Sequence, residues 1–347
     1  MRPMTEDRAV REEPRLERSI RLDFIGDWGQ ANFHRICSWL CQEVCDRAGN
    51  RSRVAIWNTV GGGADAPIAV FDGEVNLCIA TPAHILPSAL KGEGVFQGRA
   101  LSSLRALAVL PQTDRMVFAI DPKFGVRTFD DLRRKRLPLR IATSPDDGVN
   151  LIGYVAARYL EAHGVDRVAL ESWGGSLVTA PRPEQSVARM ERGEVDAVLQ
   201  EAFMTPWWRK MLDARSAIFL GAEEPALARL EEEQGWPRAT IPANYWPGQS
   251  EPLPALDFSD FVVLVRDDMA EDIAYLLTWC IVETREAIER QYRHIPPERS
   301  PLTYPLVPAN MAKAPIPLHA GASRYYANAG LLPQKSASGK EASGSQS

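Results

Sequence analysis

The 347-residue chain is short of long apolar runs: none reaches the roughly 20 residues that span a bilayer as a helix, so direct membrane insertion is not expected. Positive charge is not in excess either. Lys and Arg total 40 against 45 Asp and Glu, a net charge of -5, which argues against a nucleic-acid surface and against anionic membranes. Cysteine is scarce, and its count of five is odd, as suits a reducing compartment better than a disulfide framework. No G-x-x-x-x-G-K-[ST] or G-x-G-x-x-G fingerprint occurs, so neither a nucleotide nor any other cofactor is predicted. Residues 1–19 alternate acids and arginines and lack the apolar core of a secretory signal. Met1 taken as the start implies a cytoplasmic protein; a signal segment upstream of it would imply a periplasmic one.

What remains is an ordinary globular composition, 45% apolar and 24% charged. Short β-branched runs alternate with helical patterns, the mark of an α/β chain with open parallel sheets. Strands are expected at Ile20–Ile25, Arg53–Asn58, Asn76–Ala80, Leu104–Leu110, Met116–Asp121, Leu139–Thr143, Val168–Trp173 and Asp196–Leu199. Helices are expected at Ala31–Arg47, Pro67–Phe71, from Thr81 to Gly92, Asp147–His163, Glu184–Arg192 and, as one long helix, Ala270–Arg290. Leu104–Leu110 and Met116–Asp121, split by Gln112-Thr113-Asp114, read as a first crossing between two lobes. Asp257–Arg266, apolar at its centre, reads as the return. The expected division is a disordered arm at 1–19, lobe I at 20–115 plus 258–332, lobe II at 116–257 and a disordered tail at 333–347.

Cys37, Cys41 and Cys45 share one helical stripe. Three thiols on a face suit a metal in principle, but no fourth ligand stands at a recognised spacing, and core packing is the expected role. No metal site is predicted.

Toward the C-terminus stands Pro315-Ile316-Pro317-Leu318-His319-Ala320-Gly321-Ala322-Ser323-Arg324-Tyr325-Tyr326. This string resembles the closing signature of the TAXI family, the solute-binding subunits of TRAP-type transporters. His319 is expected to pin the segment to the body by a hydrogen bond. Asp130-Asp131-Leu132-Arg133-Arg134-Lys135-Arg136, Gly193-Glu194-Val195-Asp196-Ala197 and Ala89-Leu90-Lys91-Gly92 with Phe96 resemble further family steps, so the likeness runs from about residue 20 to 332. It implies a two-lobed, type II periplasmic-binding-protein-like fold of two open, mostly parallel sheets joined by crossing hinge strands. It also implies a small-molecule organic acid as ligand and TRAP membrane subunits as partners. The loops depart from the family pattern: Gly63 and Ala66 stand where a serine and an asparagine are usual. Ala80, Thr81 and Pro82 replace a glutamine and an aspartate, and Ser144-Pro145-Asp146-Asp147-Gly148 replaces a serine-glycine-threonine turn. The scaffold reads as kept and the pocket as rewritten.

In open α/β sheets ligands bind beyond the carboxyl ends of strands, near helix N-termini whose free N–H groups suit carboxylates. Five loops hold that place here. Trp28, Gly29 and Gln30 form the first, with Trp28 either stacking on a flat ligand or packing into the core. Thr59 with Gly61, Gly62 and Gly63 form the second, either an anion cradle or a plain turn. Thr81 and His84 form the third, with His84 a neutral donor at a helix start. Ser144, Asp147 and Asn150 form the fourth, with Ser144 or Asp146 as helix cap. Phe203 and Trp207 give the fifth an aromatic character suited to a ring-bearing or amino-acid-like carboxylate. The leading expectation is therefore a binding protein without covalent chemistry. The alternative is a cytoplasmic lyase or decarboxylase acting on an organic acid, with His84, Asp147 and Glu201 as acid–base groups.

Overall fold

A computed structural model describes residues 13–26, 32–59, 63–202 and 205–332. The chain opens with β1 (Arg21–Ile25), α1 (Asn32–Cys45), β2 (Arg53–Trp57), α2 (Asp65–Asp72) and β3 (Leu77–Ala80). Both flanking strands run parallel to β1, as β-α-β units require. A 3₁₀ turn (Ala83–Ile85), α3 (Leu86–Lys91) and a second 3₁₀ turn (Gly94–Phe96) lead to β4 (Leu104–Leu110). β5 (Arg115–Ile120) then lies in a second sheet.

That sheet is built by α4 (Phe129–Lys135), β6 (Arg140–Thr143), α5 (Leu151–Ala162), α6 (Arg167–Ser172), β7 (Ser176–Thr179), α7 (Pro183–Glu191) and β8 (Ala197–Glu201). It continues with α8 (Thr205–Ala214), β9 (Ile218–Leu220), α9 (Glu224–Gln234), β10 (Arg238–Ile241) and β11 (Leu253–Asp257). β12 (Phe261–Arg266) returns to the first sheet and is followed by α10 (Glu271–Glu283), α11 (Arg285–Arg290), α12 (Pro308–Met311) and α13 (Ala320–Asn328). Strand orders are β2-β1-β3-β12-β4 and β10-β11-β5-β8-β6-β7, with β9 on β5.

The two-lobed α/β architecture is as expected, but the sheets are mixed rather than mostly parallel. β12 is antiparallel to β3 and β4, and β5 is antiparallel to β8, β9 and β11. The cause is the pair of crossings. The links at 111–114 and 258–260 are only a few residues long and hand each strand straight into the other sheet, so the chain leaves through β4 and β5 and returns beside them, in the opposite direction, through β11 and β12.

One apolar core continues through the seam between the sheets, containing Ile85, Leu86 and Phe96 from one side and Leu151, Tyr154 and Trp236 from the other. A separate core lies between the first sheet and helices α1, α10 and α13. In it Cys37 is buried, with Sγ 3.6 Å from the Ile25 carbonyl, and burial pushes its thiol up to about 12. Cys41 points its Sγ at the Val54 carbonyl, and burial and then Cys45 raise its pKa too. Neutral thiols of this kind pack as small hydrophobes.

Four local expectations need correction. The stretch Val168–Trp173 is not a strand but lies in and just after α6: Asp166 caps the helix by accepting from Ala169 N at 2.7 Å, and Val168 faces solvent. The strand follows two glycines later, as β7. The long C-terminal helix breaks at Thr284, whose φ of -98° and ψ of 11° leave the helical range. Helix α5 begins at Leu151, not at Asp147, because Asn150 is its cap. Residues 13–19, placed in a disordered arm, are tied down: Leu16 N donates to the Arg47 carbonyl at 2.8 Å, and Arg18 pairs with Asp272 at 2.7 Å. Residues 1–12 and the tail at 333–347 lie outside the described residues.

Helix α4 shows how tightly the local code is kept. Thr128 Oγ1 accepts from Asp131 N at 3.0 Å, and Asp131 Oδ2 accepts from Thr128 N at 3.2 Å, a reciprocal capping box. Its other end is less well matched. Arg136 closes the helix at φ 49°, a left-handed position that suits glycine. Arg136→Gly is expected to stabilise the protein by about 1 kcal/mol, read as a higher urea midpoint with unchanged slope. A lower midpoint would contradict this reading of the cap.

Candidate functional site

The seam is fastened first at the two crossings. Gln112, 2% exposed, donates from Nε2 to the Phe258 carbonyl at 3.0 Å and to Thr81 Oγ1 at 3.4 Å, while its Oε1 accepts from Asp114 N at 2.5 Å. Gln112 N donates to Asp260 Oδ1 at 3.2 Å, and Phe258 N donates to the Asp114 carbonyl at 3.0 Å. One buried amide side chain therefore ties both crossings to the loop after β3. Asp260 sits at φ 67°, a left-handed conformation that aspartate tolerates better than most side chains.

Beside this knot lies a charged cluster. Arg115 Nη1 is 3.1 Å from Asp257 Oδ1, and Ser259 Oγ donates to Asp257 Oδ2 at 2.6 Å. His84 Nδ1 stands 3.8 Å from that same Oδ2, with the histidine side chain only 10% exposed. Burial pushes the Asp257 carboxyl up, but His84, Ser259 and Arg115 outweigh it and hold the group below the usual range. Asp260 goes the other way, raised chiefly by burial and then by Asp257 against the Gln112 N–H. Aromatic rings flank the cluster: the Trp236 centroid is 6.0 Å from that of His84 and 5.9 Å from that of Tyr154.

A second meeting point joins the loop after β2 to the start of α5. Ala64 N donates to the Val149 carbonyl at 3.0 Å, and Gly63 forms a bridge with Asn150. Gly63 must be glycine on two counts, its φ of 140° and the 2.7 Å that would separate a Cβ from Leu151 Cδ1. Of the amides expected to cradle an anion, that of Gly63 is engaged. Gly63 N already donates to Asp65 Oδ1 at 3.3 Å, and Thr59 Oγ1 donates to Asp65 Oδ2, so the loop carries its own carboxylate.

The fourth loop is likewise bound up in itself. Asp147 Oδ1 accepts from Val149 N and Asn150 N at 3.0 and 2.9 Å. Asn150 Oδ1 accepts from Gly153 N at 3.0 Å, and its Nδ2 donates to the Pro181 carbonyl at 3.1 Å. Asn150 is therefore the cap that had been placed at Ser144 or Asp146. Asp146 pairs with Arg158 instead, and Ser144 is buried, accepting from Gln200 Nε2 at 3.0 Å. Trp207 is half-buried against the core that holds Trp208 and Trp246. Glu201 ends β8, its carbonyl accepting from Trp208 Nε1 at 2.8 Å. Trp28, Gly29, Gln30, Gly61, Gly62 and Phe203 lie outside the described residues.

Of the expected site residues, Thr81 and His84 are brought to the crossings, and Gly63 and Asn150 meet each other. Gln112, Arg115, Tyr154, Trp236 and Asp257 were not anticipated. Their one signal was the polar Gln112-Thr113-Asp114 between two apolar runs, which reads equally as a plain link.

The segment is pinned at His319 through its backbone, while the ring caps the helix that follows. The backbone N of His319 donates to the Ala106 carbonyl at 2.9 Å, and its Nδ1 accepts from Gly321 N at 3.1 Å as the cap of α13. Burial lowers its pKa, which keeps the ring a neutral acceptor.

The profile of the NMT1-like family matches residues 40–330, which takes in the seam, both crossings and the C-terminal string. The chain belongs to the NMT1-like family. A search of curated proteins finds no match. Among solved structures, the chain is similar to a periplasmic transporter at 13% identity, over 76% of this chain and 83% of that one, with a TM-score of 0.44. It is similar to PhnD1 from Prochlorococcus marinus in complex with methylphosphonate at 11% identity, over 76% and 84%, with a TM-score of 0.46. The substrate binding protein of an amino acid ABC transporter matches at 11% identity, over 78% and 96%, with a TM-score of 0.41. At values this low, no ligand or partner carries over from these proteins to this NMT1-like chain. Among the described residues no helix is long and apolar enough to cross a membrane.

Proposed function

We propose that this NMT1-like protein is a solute-binding protein that closes two lobes, 20–115 plus 258–332 and 116–257, around a small organic acid. The observation that carries the proposal is the seam. Two short crossings, knotted by Gln112, join the sheets, and the loops at 63–64 and 149–150 also meet across the seam. A joint of two short links beside facing loops is the geometry of hinge closure. Membership of the NMT1-like family supports the solute-binding reading. The C-terminal string pinned by His319 supports the narrower one, the substrate-binding component of a TRAP-type uptake system.

Binding to the folded state alone raises stability by about 2.7 kcal/mol at a ligand concentration one hundred times Kd. A thermal-shift screen of mono- and dicarboxylates, aliphatic and aromatic, is therefore expected to show a concentration-dependent rise in Tm for at least one of them. A Tm that no carboxylate moves at millimolar concentration would refute the organic-acid reading.

A further inference from the structure

Resting on that reading, the seam shows where the ligand's charged group goes. Buried polar atoms in folded proteins are almost always partnered, and an unpartnered one costs stability. Both ring nitrogens of His84 and the Nε of Arg115 are buried without a hydrogen-bond partner. All three belong to side chains that converge on one carboxylate, Asp257. His84 comes from the loop after β3 and Arg115 from the start of β5, while Asp257 ends β11. Such a cluster of spare donors at the joint between two lobes is the chemistry of an oxyanion site.

We infer that His84 Nε2 and Arg115 Nε together receive a carboxylate of the ligand, with Asp257 beside the Nδ1 edge of His84 and Trp236 and Tyr154 bordering the attached organic group. Arg115 brings a positive charge to the site, already facing Asp257 at 3.1 Å. Two further acids stand at the crossings: Asp260 accepts from Gln112 N and is shifted towards its neutral form, and Asp114 Oδ1 accepts from Arg115 N at 2.6 Å. The aromatic border favours a ring-bearing carboxylate over a small aliphatic one, because a planar body gains burial against Trp236 that acetate lacks.

The two histidine nitrogens allow a sharp test. Asparagine reproduces the Nδ1 side of the ring and glutamine the Nε2 side, so His84→Asn removes the proposed ligand donor and His84→Gln keeps it. Arg115→Lys keeps the positive charge beside Asp257 and removes the Nε donor. The probes are sodium benzoate, sodium acetate and inorganic phosphate, titrated calorimetrically into the full chain, with circular dichroism confirming that each variant is folded. Benzoate is expected to bind more tightly than acetate or phosphate. His84→Asn and Arg115→Lys should each weaken it about tenfold or more, and His84→Gln no more than about threefold. Benzoate binding left within twofold by both His84→Asn and Arg115→Lys would overturn this inference and leave the solute-binding reading standing. Equal loss in His84→Asn and His84→Gln would overturn the assignment of Nε2, and phosphate binding in place of benzoate would overturn the carboxylate class. No heat from any of the three would overturn both the inference and the organic-acid reading beneath it. Should Arg115→Lys fail to fold, the histidine pair decides alone.

Discussion

Gly153→Ala is expected to destabilise the protein by about 3 kcal/mol or more and to take ligand binding with it. A Cβ at this position would lie 1.9 Å from the Pro145 carbonyl oxygen and 2.3 Å from its carbon, both backbone atoms with no flexible side chain to yield. Either α5 or the 144–150 loop must then move. Gly153 N is also the donor to the Asn150 cap, so the displacement strikes the start of the helix directly. Moving that loop pulls the Val149 carbonyl from Ala64 N and opens the Gly63–Asn150 bridge on the far side of the seam. Urea denaturation together with carboxylate titration checks both effects. A parental midpoint would show that the loop relaxes freely, and the close fit of α5 against the Pro145 backbone would not be a constraint.

The second large effect is a loss of stability in acid through His163. This ring is 1% exposed and lies between Phe129 and Tyr159, at centroid distances of 4.0 and 4.3 Å. Its Nε2 accepts from Glu223 N at 3.0 Å, so the proton must sit on Nδ1, which donates to the Tyr159 carbonyl at 2.7 Å. Protonation would destroy the one acceptor in this arrangement. Burial accordingly pulls its pKa from 6.5 down to about 4, against the Tyr159 carbonyl, which favours the charged ring. The unfolded chain therefore binds a proton that the folded one refuses. The stabilisation is complete above pH 6.5 and is lost as the pH falls from there to about 4, a change of roughly 3 kcal/mol from this one group. Measured unfolding free energies should fall across that window, and His163→Gln should flatten the slope. An unchanged slope in the variant would mean that other groups carry the acid sensitivity.

Much of the scaffold was legible because its signals are local. β-branched runs such as Phe261–Arg266 and the apolar spacing along α5 depend on neighbours a few residues apart. Even where local signals mislead, the reason is local: Val168 looked like the start of a strand because one valine outweighed the cap at Asp166. The mixed sheet order was not legible, since pairing of β12 with both β3 and β4 follows from short crossings whose geometry no periodicity encodes.

The site divides in the same way. Loops at strand ends could be named from position, and His84 and Thr81 do stand at the joint. Their partners could not. His84 meets Asp257 across a separation of over 170 residues, and Gln112 is a buried knot that in sequence is only a polar residue between two strands. Asn150, Asp147 and Asp65 were named or passed over by residue type alone. The structure shows carboxylates and amides satisfied within their own loops, where turn and cap geometry absorbs the groups that looked free.

Isothermal calorimetry of the full chain against the carboxylate panel tests the central claim most directly. A solute-binding protein gives heat that saturates near one ligand per chain and then stops. Heat that continues in proportion to time and to added carboxylate would mean turnover, and an enzyme on this scaffold would replace the binding protein proposed.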